Sequence, residues 1–182
     1  MIGSHIARDA VNLHGCGQDA EELSILISIV AAMDPHLIVE IGCNTGGSLY
    51  VWMNATNANV IGVSLGPHDP AAKCETYGAT LIQGDSHHIA IIEKLESVLA
   101  GRRPDFFFID GDHSEAGCRS DWRLAQRVKA RAVGFHDISP RRIPGDPGVR
   151  KVFAEACARY PSVVIRNPSD SMNPGAGIVW LE

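Results

Sequence analysis

The chain lacks several features that would have named a class outright. It has no apolar run of membrane-spanning length, and its start (MIGSHIARDA) lacks the basic-then-apolar layout of a secretory signal. Neither a membrane partner nor export is expected. It lacks a basic surplus: 16 Lys and Arg against 21 Asp and Glu give a formal net charge of −5. Nucleic acid is therefore not expected as its partner, because a phosphate backbone calls for a basic stripe. The dense basic points, Arg102-Arg103, the stretch Arg123 to Arg131 and Arg141-Arg142, read as solvated faces and loops. It also lacks any CxxC pair. Its five cysteines (Cys16, Cys43, Cys74, Cys118 and Cys157) are odd in number and scattered, which excludes a zinc knuckle and a disulfide framework. Reduced thiols in a cytoplasmic protein are the expectation. Internal repeats, low-complexity tracts and linkers are absent too.

What is present is an ordinary globular balance, 45% apolar and 20% charged, over 182 residues. That length suits one domain, residues 1–182, with residues 1–18 as an N-terminal arm or lid. Such a domain buries roughly two-thirds of its unfolded surface and needs no staple.

Short apolar runs alternate with helical spacings. Asp19–Met33 sets Leu23, Leu26, Ile27 and Val30 on one helix face, and Pro35 ends it. Strands are expected at Leu37–Ile41, Val60–Val63, Thr80–Gln83, Phe106–Ile109 and Ala132–Phe135. Helices are expected at Ser48–Ala55, Ile89–Leu99, Ser114–Val128 and Val149–Ala158. Two last strands, Ser162–Arg166 and Gly177–Leu181, are joined by loop alone. This order predicts an α/β sandwich: a mostly parallel seven-stranded sheet, helices on both faces, and an antiparallel C-terminal hairpin.

The first strand runs into Glu40-Ile41-Gly42-Cys43-Asn44-Thr45-Gly46. Gly42 and Gly46 allow a tight turn and close backbone approach to a ligand. In an open sheet of this kind that loop lies at the ligand-binding rim. The pattern resembles the class I S-adenosylmethionine-dependent methyltransferases, whose first loop reads acidic-x-Gly-x-x-x-Gly, and the hairpin ending agrees with their Rossmann-like fold. The resemblance implies that Gly42 and Gly46 shape the pocket for the amino-acid end of the cofactor and that Glu40 helps hold it. A nicotinamide fingerprint would need glycine at Asn44. Where the family ends its second strand in an acidic ribose ligand, this chain has Ser64, so that either the cofactor is held more weakly or Asp69 in the next loop substitutes. Asp85 and Ser86, after the third strand, match the adenine-lining position, or else cap the following helix.

A second constellation ends the fourth and fifth strands, both expected beside the first: Asp110-Gly111-Asp112-His113 and Phe135-His136-Asp137. Carboxylates gathered at one rim repel unless a cation or proton separates them. A divalent metal, magnesium or manganese, is the economical answer, and it would lower the pKa of a bound hydroxyl. His113 would then take the proton as general base. DGDHSEAGCRSDW followed by GFHDI is similar to the metal-dependent small-molecule O-methyltransferases, especially the branch of macrolide-sugar and cephalosporin-biosynthesis enzymes. The resemblance implies Asp110 and Asp137 as metal ligands, with Asp110 also at the cofactor, and His113 as base. His136 stands where that branch carries the third ligand, a carboxylate. The expected reaction is methylation of a small-molecule hydroxyl. Met1–Gln18, Ile138–Gly148 and Asn167–Ala176 would form irregular rims over the substrate. The rival expectation is a non-catalytic domain that binds the same cofactor, or one whose pocket a partner protomer completes in a homo-oligomer.

Overall fold

The computed structural model describes residues 2–66, 78–139, 148–167 and 175–182. In chain order it contains α1 (Ile2–His14), α2 (Ala20–Ala32), β1 (Leu37–Ile41), α3 (Gly47–Ala55), β2 (Asn59–Ser64), β3 (Thr80–Gln83) and α4 (Ile89–Leu99). There follow β4 (Phe106–Ile109), α5 (Glu115–Arg127), β5 (Ala132–His136), α6 (Gly148–Cys157), β6 (Ser162–Ile165) and β7 (Ala176–Trp180). The strands form one sheet in the order β3-β2-β1-β4-β5-β7-β6. β1 to β5 are parallel, and β7 inserts antiparallel between β5 and β6. The expected sheet and hairpin are both present. One detail differs from the expectation: β5 lies beside β4 and one strand away from β1.

The central strands LIVEI, FFFI and AVGFH are buried from end to end, as strands covered by helices on both faces must be. Their side chains alternate between two cores. Val39, Ile41, Phe107, Ile109, Val133 and Phe135 face one core, with residues of α4, α5 and α6. Ile38, Phe106, Phe108 and Ala132 face the other, with α1, α2 and α3. There Trp52 meets Phe106 and Phe108 edge-on at 5.6 and 5.5 Å.

Local signals fix the helix starts. Asp19 caps α2, accepting from the Glu21 and Glu22 amides at 3.0 and 2.9 Å. Ser114 caps α5 through the Gly117 amide at 3.1 Å. Residues 2–14 correct the expected irregular arm, since they form a helix that buries Ile6, Ala7 and Ala10. The other two expected rims lie largely outside the described residues, as do Asp69, Arg141 and Arg142. Among the described residues no helix is long and apolar enough to cross a membrane.

Candidate functional site

Parallel strands that all end on one rim bring their following loops together there. The β1 loop makes the closest approach to its neighbour. Gly42 has φ +92°, and a Cβ placed on it would stand 2.1 Å from the Asp110 carbonyl oxygen. The backbone here is pinned on both sides: the Gly42 amide donates to Val63 O at 2.8 Å, and the Asp110 amide donates to Ile41 O at 2.9 Å. Gly46, left-handed at φ +83°, turns the chain into α3.

Two cavities open on this rim. The larger, about 390 Å³, lies between residues 15–18, the β1 loop and the side chains of Asp110, His113, His136 and Asp137. The smaller, about 270 Å³, is lined by Ser64 and Leu65 after β2, Gly84 to Ser86 after β3, and Asp110 to Asp112 after β4. Gly42, Asn44 and Asp110 line both, so the two are lobes of one cleft. Neither lobe is lined by Gly46 or Glu40.

Glu40 is wholly buried in β1. Its Oε2 accepts from Trp52 Nε1 at 3.1 Å, which supplies the partner that a carboxylate inside an apolar strand requires. Burial lifts its pKa from 4.5 to about 8, with hydrogen bonds from Ser48 and Trp52 opposing. In the unfolded chain the same group ionises near its ordinary value. Between these limits the folded state holds a proton that the unfolded state releases, so Glu40 makes the protein less stable as pH rises through that window. Glu40→Gln, which keeps the acceptor for Trp52, is expected to stabilise the fold at about pH 8 by a few kcal/mol more than at about pH 5. Chemical denaturation of both proteins at both pH values measures this. An equal difference at the two pH values would refute it.

The β4 and β5 ends form an ion network. Asp110 Oδ1 accepts from His136 Nδ1 at 3.0 Å and lies 3.4 Å from His113 Nε2. Asp110 Oδ2 accepts from Gln18 Nε2 at 3.0 Å. His113 Nδ1 lies 3.1 Å from Asp137 Oδ2, and His136 Nε2 lies 3.7 Å from Glu22 Oε1. Burial raises the Asp110 carboxyl, but the His136 charge and the hydrogen bonds from His113 and His136 reverse this and hold it well below the usual carboxylate range. For His136, burial disfavours the charged ring, yet Asp110, then Asp137 and Glu22, lift it to about 9. The Asp110 hydrogen bond likewise holds His113 above the ordinary histidine range. Asp137 is placed by a left-handed backbone, φ +58°, directly after β5.

The structure therefore brings Asp110, His113, His136 and Asp137 together. Asp110 adjoins Gly42 at the boundary of the lobes, and Ser64, Asp85 and Ser86 line the second lobe. Neither Asp85 nor Ser86 caps α4: the cap residue is His88, and Ser86 Oγ donates instead to Asp121 Oδ1 at 2.8 Å. Among the buried polar residues that the sequence does not single out are Gln18, Glu22 and Asp121. The last two fall on apolar stripes. Glu22 shares its helix face with Leu23, Leu26 and Val30, and Asp121 shares its face with Cys118 and Ala125. A charged residue in such a stripe is a readable signal.

The family Rhamnosyl O-methyltransferase/CmcI matches the sequence over residues 13–128, from the end of α1 to the end of α5. That stretch holds the β1 loop and Asp110 to His113, and stops short of His136 and Asp137. No curated protein sequence matches the chain. Among solved structures, the O-methyltransferase from Bacillus cereus in complex with SAH is 14% identical with a TM-score of 0.69, over 98% of this chain and 91% of that one. TomG of Streptomyces achromogenes, an O-methyltransferase of tomaymycin synthesis solved with SAM, is 16% identical with a TM-score of 0.65, over 98% and 88%. MycE, solved with Mg, SAH and mycinamycin VI, is 15% identical with a TM-score of 0.71, over 99% of this chain but 54% of its own. These likenesses show the fold, and the matched stretch shows the family. The chain belongs to the Rhamnosyl O-methyltransferase/CmcI family of O-methyltransferases.

Proposed function

We propose that the protein methylates a hydroxyl of a small molecule, with His113 as the general base. One observation carries this reading: the two lobes meet at Gly42, Asn44 and Asp110, and only the larger continues past that junction to His113. A bipartite cofactor would place its adenosyl end along Ser64, Asp85 and Ser86 and its amino-acid end along residues 42–48. Its reactive centre would then fall near Asp110. When bound, the cofactor supplies an electrophilic methyl group on a sulfonium. The protein aligns the acceptor oxygen with it and excludes water. As the O–CH₃ bond forms and the S–CH₃ bond breaks, His113 takes up the hydroxyl proton. To act as base His113 must be neutral, with Nδ1–H held by Asp137 at 3.1 Å and Nε2 turned from its longer 3.4 Å contact with Asp110 to the hydroxyl of the acceptor. Asp110 and Asp137, on either side of its ring, stabilise the imidazolium so formed.

The metal implied by the sequence resemblance has donors of suitable chemistry in Asp110, His136 and Asp137. As folded, those donors are closed on one another and on His113. Among the described residues no group of three or more His, Cys, Asp or Glu side chains stands in a metal-holding arrangement. In this arrangement the donor set does not fit a bound ion.

Calorimetric titration of S-adenosylhomocysteine into the protein, with and without magnesium or manganese, tests the reading together with methyl transfer from labelled cofactor to sugar and catechol acceptors. Binding without added metal, with transfer reduced about 10²- to 10⁴-fold in His113→Gln, is the expected result. Binding with no transfer to any acceptor would overturn it in favour of a non-catalytic binding domain, and transfer that His113→Gln leaves unchanged would remove the base. Metal binding lost in Asp137→Ala would reinstate the ion.

A further inference from the structure

We propose that Asp121 is a positioning residue that makes the smaller lobe select a purine bearing an amino group over one bearing an oxo group, by turning the Ser86 hydroxyl hydrogen away from the ligand. The proposal rests on the reading that the adenosyl end of the cofactor occupies this lobe.

Asp121 lies in the middle of α5 with no exposed surface, where a carboxylate is costly unless it is hydrogen-bonded. Its Oδ1 accepts the Ser86 hydroxyl at 2.8 Å, and His87 Nε2 lies 3.4 Å from the same oxygen. Oδ2 has no hydrogen-bond partner among the described residues. That oxygen stands 3.4 Å from where a Cβ on Gly111 would be, immediately behind the lobe's lining. Burial raises the Asp121 carboxyl to about 6, against the Ser86 hydrogen bond, so it is largely ionised at neutral pH and accepts only.

A serine hydroxyl has one hydrogen and two lone pairs. With the hydrogen held by Asp121, Ser86 offers the lobe lone pairs alone. Its lining neighbours Asp85 and Asp112 are carboxylates and add further acceptors. A ligand edge placed here is met by acceptors, which an exocyclic amine satisfies and a carbonyl oxygen opposes. Without the Asp121 carboxylate the hydroxyl is free to rotate and donate, and the part of the distinction that Ser86 supplies is lost.

The test is the ratio of dissociation constants for S-adenosylhomocysteine and its 6-oxo counterpart S-inosylhomocysteine, measured by calorimetry on the full chain. The wild-type protein is expected to prefer the amino form by about 50-fold, the size of one opposed buried hydrogen bond. Asp121→Ala is expected to bring the ratio within about fivefold, and Asp121→Asn, whose amide oxygen still accepts from Ser86, to restore most of it. Ser86→Ala is expected to lower the ratio with Asp121 intact, and it carries the test if Asp121→Ala does not fold. A purely structural Asp121 would weaken both ligands equally and leave the ratio unchanged, which would overturn the proposal. Equal binding of both ligands by the wild-type protein would overturn it alone. Failure to bind either would overturn the cofactor reading and this proposal with it.

Discussion

Asp110→Ala is expected to abolish methyl transfer, by about 10³-fold or more, and to destabilise the protein by about 3–5 kcal/mol. The size follows from how much converges on one carboxylate. Asp110 accepts from Gln18 and His136 at 3.0 Å each, faces His113 at 3.4 Å and lines both lobes. Truncating it leaves His136, which is 4% exposed, without its nearest countercharge. A buried cation so stranded must lose its proton or draw in water. Asp110→Asn separates the two losses. It keeps an acceptor for His136 while removing the charge, so stability should recover substantially and turnover should not. Turnover and denaturant unfolding measured on the same preparations check both statements. Turnover within about tenfold of wild type in Asp110→Ala would remove Asp110 from the reaction.

Gly42→Ala is the second large effect, and its cause is steric. Two terms add at this position: a φ of +92°, which L residues rarely adopt, and a methyl group 2.1 Å from the Asp110 carbonyl oxygen and 2.6 Å from the Gly111 amide nitrogen. Both obstructing atoms are backbone at the end of β4, so neither yields without moving that strand end. A loss of about 3 kcal/mol or more is expected, with cofactor affinity falling more than about 100-fold. Gly101→Ala isolates the first term, because that glycine has φ +78° and nothing within 4 Å of where a Cβ would stand. It should cost only about 1 kcal/mol and leave affinity unchanged. If the two variants cost the same, the collision between the β1 and β4 loops is not what glycine prevents.

The elements that fold by local rules are legible in the sequence. Phe106–Ile109 and Leu37–Ile41 read as buried strands from composition alone, and Ile89–Leu99 reads as a helix from its spacing. The strand ends then name the rim, and with it Asp110, His113, His136 and Asp137. α1 is not legible because its buried face is made partly of alanines, Ala7 and Ala10, whose small apolar signal is hidden among polar neighbours. The contacts of Gln18 and Asp121 are illegible for a different reason. Their partners, Asp110 and Ser86, lie 92 and 35 residues away, and no periodicity encodes a contact of that span. The closure of the carboxylates on the two histidines belongs to the same class, since it depends on the angle at which β4 and β5 deliver neighbouring side chains.

The shared boundary of the two lobes has an energetic consequence. A molecule that fills only one lobe gains that lobe's contacts and bears the whole cost of association by itself. A molecule whose halves are covalently joined across Gly42, Asn44 and Asp110 bears that cost once, and its second half binds at the effective concentration set by the link, of roughly millimolar order for a short flexible connection. The cleft thus measures the distance between two recognised groups as well as the groups themselves. Breaking a two-part ligand in the middle would forfeit most of its affinity while leaving every contact chemically available.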